Sequence, residues 1–213
     1  MANYGSFDRM CIQLDTKIAI PGKEKFKTLR QIIEECPNGE KFIVYSYDHE
    51  KKCIVPAWAH YPRITDERET VKITFDDGSE LICTPDHPCM MRDGTFKDAG
   101  ELQPDDSMMP FYRKQFNGRS KKDGKSFEGY YSILTWAEGS YRGWEAEHRL
   151  IAEWQYERKV IKEQEHVHHK NYDCADNDPQ NLEIMNASEH LSMHAKNSER
   201  FRTEEWSSFF SDL

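Results

Sequence analysis

Five of the nine histidines in this 213-residue chain fall between His166 and His194, and that clustering constrains the fold of its C-terminal third more than any other feature. Val167-His168-His169 reads as the end of a strand. A loop rich in Asn, Asp and Pro follows, from Asn171 to Gln180, and leads into a second short strand, Asn181-Leu182-Glu183-Ile184-Met185. Asn186-Ala187-Ser188-Glu189 has the form of an N-cap with glutamate at N3, so a helix is expected to begin after Asn186. His190 and His194 are then i and i+4 on one helix face, where two rings can share an ion. The order is strand, loop, strand, helix, with adjacent histidines at one end and spaced histidines at the other.

These residue types suit phosphodiester hydrolysis. That reaction needs an in-line nucleophile, a base with a near-neutral pKa, and positive charge on the developing anion and the leaving oxygen. Imidazole, with an unperturbed pKa of about 6.5, can accept a proton from water at working pH. An ion held by neutral imidazoles keeps its full charge for the phosphate, and two or three protein ligands leave positions open for substrate and water. A closed structural zinc site built from His168, His190, His194 and Cys174 is the competing arrangement, and it leaves His169 and the placement of Asn181-Leu182 unexplained.

From about Tyr130 to Lys196 the chain resembles the HNH nucleases and their ββα-metal fold. The resemblance is carried by Val167-His168-His169-Lys170-Asn171 and by the upstream Glu147-His148-Arg149-Leu150-Ile151-Ala152-Glu153, both typical of phage HNH endonucleases, and by Asp176-Asn177-Asp178-Pro179-Gln180-Asn181-Leu182. It implies a divalent metal ion (Mg2+, Mn2+ or Zn2+) bound by His168, His190 and His194. It implies further that His169 is the general base that activates water, and that Asn181 holds the loop and thereby orients that base. Many homing members use Asp and Asn as ligands; the histidines here are closer to the colicin-type toxin nucleases, which leaves the metal open. Arg149 either contacts the scissile phosphate, the favoured role, or caps a helix. His148 and His166 receive no role.

The first hundred or so residues have a different texture, short alternating segments between turn residues, as in an all-β domain built from hairpins. Lys41 to Tyr47 and Thr70 to Phe75 read as strands, and Asp76-Asp77-Gly78 as a hairpin turn into Glu80-Leu81-Ile82-Cys83. One helix is expected around Leu29, Ile32 and Ile33, ended by Pro37 and Gly39. Downstream, a strand is expected over Tyr130 to Trp136 with a turn at Gly139, then a helix near Glu145 to Gln155 with Ala146, Leu150, Ile151 and Trp154 facing inward. Between them RKQFNGRSKKDGK, from Arg113 to Lys125, is basic and aperiodic. It reads as a linker, with Arg113, Lys114, Arg119, Lys121, Lys122 and Lys125 as candidate DNA contacts. The expected division is 1–112, a linker at 113–126, and 127–213.

Cys11-Ile12-Gln13-Leu14-Asp15-Thr16 and the later Thr84-Pro85-Asp86-His87, with the segment from Met91 to Met108, resemble the N-terminal splicing blocks of inteins, the Hint fold, over about Cys11 to Arg113. The resemblance implies that Cys11 attacks the Met10 carbonyl to form a thioester. Thr84 and His87 would then polarise that peptide bond and protonate its leaving nitrogen. The chain departs from inteins in lacking the C-terminal block that ends in His-Asn; Lys196-Asn197-Ser198 has only the last pair. Complete cis-splicing is therefore not expected, and the Hint-like part reads as a split-intein N-terminal fragment or an accessory remnant. The tail from Glu199 to Leu213 has no readable role.

Composition bounds the rest. A formal net charge of −9 argues against nonspecific binding of polyanions, although a local basic patch overrides it. No apolar run approaches the roughly 18 residues that span a bilayer, and the N-terminus has neither a basic nor an apolar leader segment. Six cysteines without a CxxC pair read as thiols in a reducing compartment. The expectation is an α+β cytoplasmic protein, phage-encoded in a bacterial host: an all-β Hint-like domain followed by a small ββα-metal HNH nuclease that cuts double-stranded DNA. The alternatives are a splicing module that works with a C-terminal split-intein fragment beside an inactive nuclease, and a zinc-stabilised DNA-binding protein without catalysis.

Overall fold

The computed structural model describes residues 11–65, 67–116, 129–135 and 143–196. The architecture is mixed, with a few helices and many small antiparallel sheets, and it divides into two units. The first comprises residues 1–114 and 132–145, the second residues 115–131 and 146–213. No helix among the described residues is long and apolar enough to cross a membrane.

In the first unit β1 (Lys17–Ala19) pairs with β2 (Phe26–Thr28), and α1 (Leu29–Glu35) starts directly after. Its N-terminus is a reciprocal cap. The Thr28 hydroxyl accepts from the Gln31 N–H while the Gln31 side chain accepts from the Thr28 N–H, which satisfies two otherwise orphaned donors. Ile32 is the residue this helix buries. Three hairpins follow: β3 (Phe42–Asp48) with β4 (Cys53–Ala59), β5 (Val71–Thr74) with β6 (Glu80–Cys83), and β7 (Pro88–Met90) with β8 (Phe96–Asp98). The expected Asp-Gly turn closes β5 onto β6. Gly78 sits at φ +80, and Asp77 accepts from both the backbone and hydroxyl of Ser79.

One core cluster of this unit is Cys83, Cys89 and Ala99, packed by Ile12, Val71, Ile73, Leu81, Leu102 and Met108. None of the six cysteines is in a disulfide. Burial pushes the thiols of Cys83 and Cys89 up, the latter to about 11, so both act as small apolar side chains.

The stretch expected to be a linker begins as structure. Arg113–Phe116 form β9, which lies in a three-stranded sheet of order β11-β10-β9 with β10 (Tyr130–Leu134) and β11 (Trp144–Ala146). Residues 117–126 of that stretch, and Trp136 and Gly139 with their expected turn, lie outside the described residues.

The second unit holds α2 (Glu147–Gln155), β12 (Glu165–His169), β13 (Leu182–Asn186) and a helix over residues 187–196, here α3. β12 and β13 pair antiparallel from Glu165↔Asn186 to His169↔Leu182. Asn186 starts α3 by accepting from the Ser188 N–H at 2.8 Å. The inward face of α2 differs from the expected one. Leu150 and Ile151 are buried, but so are Glu147, Ala152 and Glu153, while Ala146 and Trp154 are half-buried. Glu153 tolerates the interior because Lys159 Nζ (2.6 Å), Arg149 Nε (3.0 Å) and the Val160 N–H (3.1 Å) all donate to it. Burial raises its pKa, but those donors outweigh the desolvation and hold it below the ordinary glutamate value.

Candidate functional site

Successive side chains of a strand point to opposite faces, so β12 sends His168 and His169 to different surroundings. His168 meets the two histidines of α3. One ring nitrogen from each of His168, His190 and His194 lies within 4.8 Å of the others. The His190 and His194 Nε2 atoms are 3.1 Å apart. Two imidazole nitrogens bound at about 2.1 Å to one tetrahedral ion stand roughly 3.4 Å apart, so this donor set fits a divalent metal. Cys174, the fourth donor of a closed zinc site, is not in the group. Among the described residues three candidate donors therefore converge, the number that suits an open site.

The other nitrogen of His190 is also placed. Its Nδ1 lies 3.2 Å from Nδ1 of His166, so His190 can turn Nε2 toward an ion while its second nitrogen is held by a neighbour, the usual outer support of a metal-bound imidazole. Burial first, then the charges of the surrounding histidines, push the His190 pKa down to about 4, and the same causes lower that of His168. Both rings are thus neutral at working pH, the form that binds metal. The Tyr172 ring packs edge-on against His168 and His194.

His169, next in the strand, is 4% exposed and is not in this donor group. Its Nε2 is 2.9 Å from Oδ1 of Asn177, and Asn177 Nδ2 donates to Oε2 of Glu147 at 2.8 Å. The rings of Tyr130 and His148 pack beside it, at 5.9 and 5.5 Å between centroids. Burial, then the charges of His169 and Arg149, push the His148 pKa down to about 3, and its Nδ1 is enclosed without a hydrogen-bond partner among the described residues. No cationic imidazole therefore competes beside His169.

Asn181 sits at the end of the loop rather than on the His169 ring. Its amide donates to Asn171 Oδ1 (2.9 Å) and to the Asp176 carbonyl (2.8 Å), and its Oδ1 accepts from the Asn171 N–H (3.0 Å). It staples the turn from which Asn177 reaches His169. Arg149, the candidate phosphate contact, also has partners within the protein. Its guanidinium binds Glu153 and the Val160 carbonyl (3.1 Å), tying α2 to the chain that follows, because a buried carboxylate one turn away is the strongest partner in reach. Arg113 likewise is not an extended arm. It donates to the carbonyls of Lys25 and Ile20, both at 2.8 Å, and its guanidinium lies over the rings of Phe26, Tyr45 and Phe111. Lys114 places its ammonium 3.8 Å from the Trp144 ring centroid. Arg119, Lys121, Lys122 and Lys125 lie outside the described residues.

In the first unit a second constellation forms across 73 residues. A bridge between Ile12 and Cys83 lays the start of the described chain against β6. The Thr84 N–H donates to the Cys11 carbonyl (2.9 Å), and the Cys11 N–H donates to the Thr84 hydroxyl (3.1 Å). The Cys11 thiol lies 3.1 Å from the Thr65 hydroxyl. The His87 N–H donates to the Thr84 carbonyl; its Nδ1 is enclosed without a partner among the described residues, and burial lowers its pKa. Met10 lies outside the described residues.

Several functional neighbours have only a faint sequence signal. Glu147 shares the helical stripe of Leu150 and Ile151, so a carboxylate on an inward face was its sign. Asn177 is one of several amides in the loop, and nothing local separates it from Asn171. Thr65 belongs to no motif.

Residues 145–192 match the family model described as HNH endonuclease. The chain is also 32% identical over 190 residues to a DNA gyrase subunit from Synechocystis sp., an alignment that covers 87% of this chain and 17% of that protein. The matched family segment runs from the last strand before α2 to the second turn of α3, and contains His168, His169, Asn177, Asn181 and His190.

Proposed function

We propose that this protein is a metal-dependent HNH endonuclease of the homing, phage-like kind that hydrolyses phosphodiester bonds in double-stranded DNA at a long recognition site. The observation that carries the reading is the division of labour along β12: His168 joins His190 and His194 in one donor group, while the adjacent His169 is held apart by Asn177. His168, His190 and His194 would hold a divalent ion, which when bound would supply positive charge to the phosphate and to the leaving oxygen. His169 takes the proton of the water that attacks phosphorus, and the leaving oxygen departs on the opposite side. Asn181 keeps the loop closed under this base. Arg149 is assigned to holding α2 rather than the phosphate, and Arg113 to the first unit. Arg119, Lys121, Lys122 and Lys125 are assigned to DNA phosphates, which suits a basic stretch in an otherwise acidic chain. A protein with this role works in the cytoplasm of a bacterial host.

The test is scission of supercoiled plasmid. Nicked or linear product is expected with Mg2+, Mn2+ or Zn2+ and none with chelator; equal cleavage in both would overturn the metal assignment.

The mutual hydrogen bonds of Cys11 and Thr84 favour a second activity, that of an intein-related domain whose Cys11 attacks the Met10 carbonyl. Thr84 engages the leaving nitrogen, and His87 is its acid. The partner would be a C-terminal split-intein fragment. Mixed with such a fragment, the wild type is expected to give spliced product and Cys11→Ala none; product from Cys11→Ala, or none from either, would remove the splicing role.

A further inference from the structure

We infer that Glu147 and Asn177 form a positioning relay that holds the His169 ring with a hydrogen on Nε2, which leaves Nδ1 as the nitrogen that accepts the proton from water. The inference rests on His169 being the base of the proposed nuclease.

The argument is one of donor and acceptor parity. Glu147 and Asn177 are both fully enclosed, at 0% exposure. Asn177 Nδ2 donates to Glu147 Oε2 at 2.8 Å, so the accepting carboxylate oxygen fixes which end of the Asn177 amide faces it. With its NH2 group committed there, the amide presents Oδ1 to His169 at 2.9 Å. An oxygen in that place is satisfied only by an N–H, and the ring nitrogen opposite it is Nε2. A flipped amide would set oxygen against oxygen at Glu147 and an N–H against any N–H of the ring, two unfavourable pairings in an enclosed place. The polarity of the chain Glu147, Asn177, His169 thus runs one way. A buried carboxylate 30 residues from the amide it serves is an expensive feature for packing alone. It is well suited to fixing a tautomer. His148 packs on the same ring without adding charge.

The experiment reads the tautomer directly in 15N-histidine NMR of the metal-free protein without DNA, at mildly alkaline pH. In the wild type, His169 is expected to show a pyrrole-like Nε2 and a pyridine-like Nδ1. Glu147→Gln keeps the shape but can donate as well as accept, so the amide can flip. The ring is then expected to populate both tautomers, and kcat for plasmid cleavage to fall on the order of 10–100-fold with KM unchanged. In the double variant Glu147→Gln with Asn177→Asp, the new glutamine donates and the new carboxylate accepts from Nε2, so a single Nε2–H tautomer is expected to return. A wild-type ring protonated on Nδ1 would overturn the relay, as would a Glu147→Gln protein with tautomer and kcat unchanged. If Glu147→Gln does not fold, the double variant carries the test: retained Nε2–H supports the relay and Nδ1–H overturns it. Because the spectrum needs neither metal nor DNA, an absent nuclease activity and an incorrect relay give separate results.

Discussion

Replacing His169 with alanine is expected to slow metal-dependent DNA scission by roughly 10²–10⁴-fold, the usual contribution of a positioned general base, while metal affinity stays at the wild-type level. The second half of that result is what makes it diagnostic. His169 is in hydrogen-bond contact with Asn177 and packs on Tyr130 and His148, whereas the donors of the proposed metal site belong to His168, His190 and His194. Removing the His169 ring leaves all three donors in place. The comparison of plasmid cleavage with calorimetric metal binding therefore separates a base from a ligand. Wild-type cleavage by His169→Ala would end its assignment as the base, and loss of metal binding would make it part of the metal centre. Its burial requires that a folding control accompany the measurement, since opening a cavity beneath β12 lowers stability by a few kcal/mol for a large ring.

Removing a metal ligand should act differently. Divalent metal at about 100 times its Kd is expected to stabilise the wild-type protein by roughly 2.7 kcal/mol, because an ion that binds only the folded state shifts the unfolding equilibrium by mass action. His194→Ala should abolish most of that increment and, with it, cleavage, while the metal-free protein melts as the wild type does. His194 is the suitable position because it is exposed on α3, so its loss creates no cavity, in contrast to the buried His168. The check is thermal melting with and without metal. An undiminished metal-induced rise in Tm in both His194→Ala and His168→Ala would exclude this group as the binding site.

The parts of the site that lie within one element were legible before any coordinates. The i, i+4 pair on α3 follows from helix geometry, and the Asn186 cap follows from the need to satisfy the first N–H groups of that helix. The β5–β6 hairpin was visible in Asp77-Gly78 for an equally local reason, the positive φ of its turn. Arg113 shows the opposite case. It is held by two carbonyls near β2 that lie about ninety residues away in sequence, so its partners could not be read along the chain. Arg149 binds Glu153 one helical turn on, a partner the i, i+4 spacing allows, and only the fold shows that this carboxylate is buried.

The adjacent histidines, the loop of amides and the capped helix follow from residue order alone, because strand alternation, turn chemistry and helical periodicity act over a few residues. Folding alone could decide that Glu147 would reach Asn177 and that Cys11 would lie on Thr84, contacts that span 30 and 73 residues. Hydrogen bonds of that range depend on the path of the loop and the register of β6 and β12, and directional contacts of about 3 Å are made or lost by a single residue of slippage.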